Sequence, residues 1–304
     1  MSALAGERTV LERGGAGYPP ALARVAQPPE RLYVVGDPAA LEEGIAIVGA
    51  RKATPYGRGC AQRFAALAAR RGVAVVSGGA RGCDAAAHAA ALDAGGRTVA
   101  FLGGGCDRLY PAEHAGLFQR IVDGGGAVAS EHAWDEDPRP YRFRLRNRLI
   151  AGLARATLIV EAGLPSGTFS TADEALAANR DVLVVPGAIT AASSRGANRL
   201  LYQGATPVVD DETFEDALFS LFGCLKQEDA PGAGRARGAE GAPSNPVVDA
   251  LRAEPLGMER LYAIAAASCG GADARSWLME RLVEAELAGT IARHPDGRWG
   301  PAAR

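Results

Sequence analysis

Short apolar runs alternate with longer amphipathic stretches between Gly44 and Phe222. The runs have strand length, and the Ala-rich stretches between them have helical length. Continuous apolar strands separated by helices predict a parallel sheet covered on both faces, which is a doubly wound Rossmann-like α/β domain. The predicted strands are Ile45 to Val48, Val73 to Val76, Thr98 to Leu102, Ala127 to Ala129, Thr157 to Val160, Val182 to Val185 and Pro207 to Val209.

The pattern changes on both sides of this domain, 44–222. Residues 1–43 are interrupted by Pro and Gly, and we expect them to form a lead-in packed on the main domain. Residues 223–245 are poor in apolar side chains and rich in Gly, Ala and Pro, which predicts a flexible linker. Residues 246–304 predict a small winged-helix-like domain. Its expected elements are helices over Val247 to Leu251, Met258 to Ala267 and Ala274 to Leu287, then a hairpin over Gly289 to Arg293 and Gly297 to Gly300.

Composition narrows the classes of function. The chain has 304 residues and a formal net charge of −2, so any nucleic-acid site must come from a local concentration of Arg. Its five cysteines form no C-x-x-C pair, which indicates a reducing cytoplasm and no structural zinc. The sequence shows neither a signal core nor an apolar run long enough to span a bilayer, so we expect a soluble cytoplasmic protein that does not associate with a membrane.

Glycine-rich loops follow four of the predicted strands, at the edge where doubly wound sheets bind ligands. Backbone N–H groups and helix N-termini favour anions there, so the repeated loops predict several phosphates in a row. For any single loop, Gly could simply permit a close turn. The candidate contacts are Gly49, Arg51, Lys52 and Thr54 after the first strand, Ser77, Gly78, Arg81 and Gly82 after the second, and Ser166, Gly167 and Thr168 after the fifth.

The segment Arg139–Arg148 has an Arg at nearly every second position, with Tyr141 and Phe143 between them. Basic groups can follow a phosphate backbone while aromatic rings stack on bases, and single-stranded nucleic acid offers both. Two alternatives stay open: the arginines pair with the acids of Glu131 to Asp137, or they lie at a subunit contact. The candidate contacts here are Arg142, Phe143, Arg146 and Arg148, and Arg195 and Arg199 add cations that could equally be ordinary surface residues.

Signals for catalysis are weak. The four histidines lie apart in sequence and belong to no nucleophile, metal or acid–base motif, and we expect Glu161 and Asp173 to be structural. No loop matches G-x-G-x-x-G or a Walker motif, which disfavours NAD binding and ATP hydrolysis. We therefore predict no catalytic residue, no metal ligand, no cofactor and no enzyme activity.

The succession IAIVGARKATPYG, VVSGGARGCDAAAH, GGGCDRLYP, RFRLRNRLIAGLA, IVEAGLPSGTFSTA and PGAITAASSRGANRLLYQGA resembles the DprA/Smf family of bacterial DNA-processing proteins over about Tyr18 to Ala205. The resemblance implies single-stranded DNA binding, a homodimer formed through the Rossmann-like domain, and loading of a RecA-type recombinase during natural transformation or related recombination. The family's binding residues carry over to Gly49, Arg51, Arg81, Gly82, Phe143, Arg146, Arg148, Ser166 and Gly167.

The chain also departs from the family's pattern. Pro165 stands where the family commonly has a basic residue, which removes one expected phosphate contact. Only a short lead-in precedes Gly44, so we do not expect the helical N-terminal domain that many members carry. The alternative function is a nucleotide-phosphate-binding enzyme of the phosphoribohydrolase type, but its P-G-G-x-G-T signature is missing, since Pro186-Gly187 continues into Ala188. A third possibility, a transcriptional regulator, rests on analogy with the winged-helix fold alone.

The predicted helix over 274–287 is a poor reader of duplex DNA. We expect its apolar Trp277, Leu278, Leu282 and Val283 to face the small domain's core. A net-acidic surface is then left outside, and the phosphate backbone repels it. We therefore predict that this domain contacts protein or regulates, and does not read DNA. The outer charges are Asp273, Glu280, Glu284 and Glu286 against Arg275 and Arg281.

Overall fold

Contacts divide the chain into two units, Met1–Lys226 and Gln227–Arg304. The computed structural model describes residues 3–224 and, beyond them, 247, 250–251, 256–268, 273–287, 290–293 and 298–301. Most of the predicted linker lies outside these residues, as do residues 248 and 249 of the module's first predicted helix. No helix of the described residues is both long and apolar enough to cross a membrane.

A nine-stranded sheet runs through the first unit in the spatial order β1-β2-β6-β5-β4-β3-β7-β8-β9. Neighbouring strands are parallel from β6 to β9, whereas β1 and β2 add an antiparallel edge. The strands are β1 (Arg8–Glu12), β2 (Arg31–Gly36), β3 (Gly44–Val48), β4 (Val75–Ser77), β5 (Thr98–Phe101), β6 (Ala127–Ser130), β7 (Ala154–Ile159), β8 (Asp181–Val184) and β9 (Thr206–Pro207).

Helices cover both faces of this sheet, which confirms the predicted doubly wound α/β fold. Buried side chains of α4, α5 and α6 share one apolar cluster with the strands, and those of α1, α2 and α7 share another. The helices are α1 (Pro55–Arg70), α2 (Cys83–Asp93), α3 (Ala115–Asp123), α4 (Pro140–Leu153), α5 (Thr168–Ala177), α6 (Arg195–Tyr202) and α7 (Asp211–Phe222).

The lead-in is more than a segment packed on the main domain, because it supplies β1 and β2 of the sheet itself. Leu32 and Val34 of β2 are fully buried, and β2 pairs with β6. Between the two strands the chain packs on α4, where Val25 lies so close that a Cβ on Gly152 would be 2.1 Å from it. The apolar run Leu32–Val35 is the sequence signal for this strand.

In the second unit, Val247, Ala250 and Leu251 are helical, and two further helices and a hairpin follow in the described residues. They are α8 (Met258–Ser268), α9 (Ala274–Leu287), and the antiparallel strands β10 (Ile291–Arg293) and β11 (Trp299–Pro301). The expectation for Val283 is wrong, since this side chain is 47% exposed. Ala285 is buried instead, because the inward positions of α9 follow the helical spacing of Leu278, Leu282 and Ala285.

Candidate nucleic-acid interface

A large cavity, called the main cavity below, lies where the strand order of the sheet reverses. From β3 the chain proceeds outward through β4, β5 and β6, and then returns to β7 on the other side of β3. The loops that follow two neighbouring strands at such a reversal run in opposite directions. They leave a crevice between them at the carboxyl ends of the strands. A cavity of about 570 Å³ occupies this position, with Gly49 and Arg51 after β3 and Gly163 after β7 in its wall. A smaller cavity of about 200 Å³ shares Arg51, Phe143 and Arg146 with it.

The loop after β3 presents cations at the mouth. Arg51 and Lys52 are exposed, and neither forms an ion pair with an acid of the described residues. Gly49 allows this loop to pack closely, since a Cβ there would lie 2.7 Å from the sulfur of Cys83. Gly82 has a φ of +80°, and a Cβ on it would lie 2.2 Å from the Ala50 oxygen. Gly82 therefore allows the loops after β3 and β4 to approach each other closely, and it does not line either cavity.

Thr54 stabilises the N-terminus of α1, the helix that follows it. Its hydroxyl oxygen accepts a hydrogen bond from the Gly57 N–H at 3.1 Å, which caps α1, and its O–H donates to Glu161 at 2.6 Å. Glu161 is only 3% exposed, so it is a structural acid as expected. The structure thus does not bring Thr54 to the main cavity.

The loop after β4 has one residue that stabilises the fold and others that line the smaller cavity. Ser77 is buried and donates a hydrogen bond to the Ile47 carbonyl at 2.7 Å, so it joins strands and faces no ligand. Gly78 and Arg81 line the smaller cavity. Arg81 is half exposed and pairs with Glu113 at the surface, which leaves its charge partly balanced.

The arginine-rich segment forms most of α4, and its arginines point in different directions because residues two apart on a helix occupy different faces. The face toward the cavity holds Phe143, Arg146, Asn147 and Ile150, at helical spacing, with Arg144 beside them. Arg144 is exposed and has no ion pair with a described acid.

The other two candidates in this segment pair with the acids just upstream. Arg142 pairs with Glu136, and Arg148 donates to Glu131 at 2.8 and 2.6 Å. Neither lines the main or the smaller cavity, so pairing, one of the alternatives left open by the sequence, describes these two residues.

Arg146 is held at the floor of both cavities. Its side chain is buried, and Nη1 donates to the Gly78 carbonyl at 2.8 Å and to the Phe101 carbonyl. Burial lowers the pKa of Arg146 to about 10, while the nearby carboxylate of Asp84 opposes this shift. A Cβ on Gly78 would lie 2.6 Å from the guanidinium, so Gly at this position makes room for Arg146.

Asp84, in the first turn of α2, also lines the main cavity. Its Oδ2 accepts hydrogen bonds from the backbone N–H groups of Gly78 at 3.2 Å and Ala80 at 3.4 Å. Burial raises the pKa of Asp84, and the positive charge of Arg146 opposes the rise. Asp84 was not among the sequence candidates, although its position directly after a glycine-rich loop could have identified it.

Two aromatic rings lie at the mouth. Tyr110 and Phe143 have ring centroids 5.2 Å apart, and the guanidinium carbon of Arg51 lies 5.7 Å from the Phe143 centroid. The Phe143 ring rests on Gly103, where a Cβ would be 2.7 Å away. Tyr110, Arg144 and Asn147 were not among the sequence candidates; the helical spacing of α4 could have identified the last two.

The N-terminus of α5 closes the opposite side of the cavity. Ser166 Oγ accepts from the Thr168 N–H at 3.2 Å and donates to the Thr168 hydroxyl at 2.9 Å. Gly167 precedes the helix and, like both hydroxyl residues, lines the cavity. Free backbone N–H groups at a helix start favour an anion, so this side matches the cationic loop across the cavity. Pro165, also in the wall, adds no charge.

Comparison with known proteins identifies the family of this chain. The family model for DNA recombination-mediator protein A matches residues 9–218. The putative DNA processing protein DprA of Mycobacterium tuberculosis is 45% identical over 206 residues, which cover 66% of this chain and 52% of that protein. The chain thus spans about half the length of this curated relative.

Two solved structures share the fold. The X-ray structure of DprA from Streptococcus pneumoniae matches with a TM-score of 0.64 and 32% identity, covering 69% of this chain and 74% of that one. A structure of DprA from Helicobacter pylori, described by its single-stranded DNA binding mode, matches with a TM-score of 0.65 and 31% identity, covering 72% and 99%. The chain therefore belongs to the DNA recombination-mediator protein A family, also called DprA or Smf.

Proposed function

We propose that the main cavity binds single-stranded DNA without cutting it, together with the residues around its opening, which we call the rim. One observation carries the proposal: the cations Arg51, Lys52 and Arg144, which form no ion pair with a described acid, surround the exposed edge of an aromatic pair, Phe143 and Tyr110. Cations that follow a phosphate backbone and rings that stack on bases are the two parts of a single-strand site.

The geometry of the rim favours a single strand over other nucleic acids. The bases of a duplex are stacked on each other, so they cannot reach Phe143 unless they leave the stack. A mononucleotide has a base but only one phosphate, and it would leave cations of the rim unused. A flexible strand can place successive phosphates on the rim while a base turns inward.

Family membership supports a cellular role for this binding. The chain would protect incoming or exposed single strands in the cytoplasm and help to load a RecA-type recombinase on them, acting as a homodimer through its Rossmann-like unit. The description of the Helicobacter pylori relative by its single-stranded DNA binding mode supports the first of these activities. The recombinase and the dimer rest on the family resemblance.

The proposal is tested by an electrophoretic shift of a labelled single strand, competed with duplex and mononucleotide. Arg51→Ala should weaken binding to all sequences alike and reduce the salt slope by about 0.7, because one phosphate contact is lost. Arg70→Ala is the matched control, since Arg70 is exposed in the last turn of α1, at the end opposite the Arg51 loop. Equal competition by mononucleotide, or a salt slope that Arg51→Ala leaves unchanged, would contradict the proposal.

A further inference from the structure

The floor of the main cavity differs in charge from its rim. The rim holds the cations Arg51 and Arg144, with Lys52 at the adjoining smaller cavity, whereas the floor holds a buried acid and a buried base, Asp84 and Arg146, whose charges cancel. A phosphate at the floor would meet the carboxylate of Asp84, which repels it. The floor is therefore suited to a neutral group with both donors and acceptors.

Each of the two floor residues has hydrogen-bonding capacity left over. Two backbone N–H groups donate to Oδ2 of Asp84, and Arg146 uses only Nη1 for its bonds to the backbone, so that its buried Nε has no partner among the described residues. Both side chains are about nineteen-twentieths buried and line the cavity, at 5% and 4% exposure. A residue that accepts hydrogen bonds and a residue that donates them thus line the same cavity.

We propose that the floor reads a guanine base of the bound strand, with Asp84 accepting from its N1–H and 2-amino group and Arg146 donating to its O6 or N7. This inference rests on the proposed function and adds a base preference to it. Guanine fits because it presents donors on one edge and acceptors next to them, while Arg favours O6 and N7 of guanine among all base edges. The volume of about 570 Å³ lies within the range of roughly 300–1,000 Å³ for small-molecule sites.

Other bases match the floor less well. Thymine has a single ring donor and no amino group, so it leaves Asp84 with one contact. Adenine offers an amino group and N7, but it has no carbonyl oxygen for Arg146 and its N1 carries no hydrogen to donate to Asp84. Cytosine offers an amino group and acceptors but is smaller, so it cannot span the two residues in the same way. Whichever base is bound, the phosphates of the strand contact the cations of the rim. A preference for one base can therefore be measured separately from the affinity for the strand as a whole.

The test measures binding of an oligothymidylate that carries one central guanine, adenine, cytosine or hypoxanthine. The guanine strand should bind on the order of tenfold more tightly than the all-thymine strand. Hypoxanthine lacks the 2-amino group and should lose most of this preference, and 7-deazaguanine should lose part of it if Arg146 uses N7. These strands test the wild-type protein, so the result does not depend on the folding of any variant.

Asp84→Asn is the informative substitution. The Asn oxygen can still accept from Gly78 and Ala80, while its amide N–H₂ replaces the free carboxylate oxygen with a donor. This variant should bind the guanine and thymine strands equally, because the new amide donor repels the N1–H and 2-amino donors of guanine. Asp93→Asn, at the exposed far end of the same helix, is the matched control and should keep the guanine preference.

Two outcomes overturn the inference in different ways. If the wild-type protein binds all strands equally and Arg51→Ala still weakens that binding, the floor reads no base while the proposed function stands. If no strand binds at all, both proposals are wrong. A guanine preference that persists in Asp84→Asn, with this variant folded, would place the reading elsewhere in the cavity.

Discussion

Arg148 donates two hydrogen bonds to the carboxylate of Glu131, and the side chains of both residues are nearly buried, at 7% and 11% exposure. Arg148 also donates to the carbonyl of Gln27 at 3.0 Å. It thereby joins α4 to the segment after β6 and to the lead-in. An arginine expected at a phosphate is thus part of the connection that holds three segments of the first unit together.

We therefore expect Arg148→Ala to lower stability and to leave DNA affinity unchanged. Removing one partner of a buried ion pair leaves the other charge unpaired, which costs about 3–5 kcal/mol in free energy of unfolding. Arg31→Ala, which breaks an exposed pair with Glu12, should cost less than about 1 kcal/mol. Denaturant unfolding measures both. A lower salt slope of DNA binding in folded Arg148→Ala would instead identify Arg148 as a phosphate contact.

Phe143 should contribute to binding by stacking on a base. Phe143→Ala is expected to cost roughly 1–3 kcal/mol of binding free energy without changing the salt slope, because no charge is removed. Phe143→Tyr keeps an aromatic ring and should bind nearly as the wild type, whereas Phe143→Leu keeps apolar packing on Gly103 and should bind like the Ala variant. If the Leu variant binds normally and the Ala variant unfolds, Phe143 is a core residue only.

His88 should make the fold sensitive to acid. Its Nδ1–H donates to Thr98 at 2.7 Å, since the Thr98 hydroxyl itself donates to the Val75 carbonyl. Burial, followed by the charge of Arg146, lowers the pKa of His88 to about 3. In the unfolded chain this pKa is about 6.5, so below that pH the unfolded state binds a proton that the folded state does not. Stability is therefore lost as the pH falls from about 6.5 toward 3.

The measurement compares unfolding of the wild type and His88→Gln over this pH range. The wild type should lose up to about 1.4 kcal/mol per pH unit more than the variant, and the two curves should run parallel above about pH 7. Parallel curves at all pH values would mean that His88 is not kept neutral by the fold. The comparison removes the contributions of other titrating groups, which both proteins share.

The sequence predicted the sheet well because each buried strand is a continuous apolar run, and the loops followed from the edge at which parallel strands end. It predicted the direction of side chains on α4 poorly. The alternation of Arg and apolar residues is only a linear pattern. In the helix, Arg142 and Arg148 pair with Glu136 and Glu131, whereas Arg144 lies at the cavity. Such pairing depends on segments brought together only by folding.

The floor of the cavity was hidden from sequence reasoning for a related reason. Asp84 belongs to a helix on one side of the site and Arg146 to a helix on the other, more than sixty residues away along the chain. Neither residue stands in a motif that joins them. Only the close approach of the Gly78 backbone to both side chains places them in one cavity.

The exposed surface of α9 supports the expectation that the second unit does not read DNA. Glu280, Glu284 and Glu286 are exposed, and Arg281 donates to Glu284 at 2.9 Å, so part of its charge is balanced within the helix. Exposed Val283 lies among these acids. A net-acidic helix with an apolar residue at its surface is repelled by a phosphate backbone and is better suited to a protein contact.

Truncation after Phe222 tests this expectation, because Met1–Lys226 and Gln227–Arg304 each enclose their own apolar cluster. The protein ending near Phe222 should bind a single-stranded oligonucleotide within a few-fold of full length, since every residue of the cavity is retained. The isolated second unit should bind neither single-stranded nor duplex DNA detectably at about 150 mM salt, where weak surface attraction is screened. Circular dichroism and sedimentation establish that each fragment is folded. If a fragment ending near Phe222 is folded and dimeric but loses most of the binding, the second unit holds part of the DNA site and the expectation is wrong.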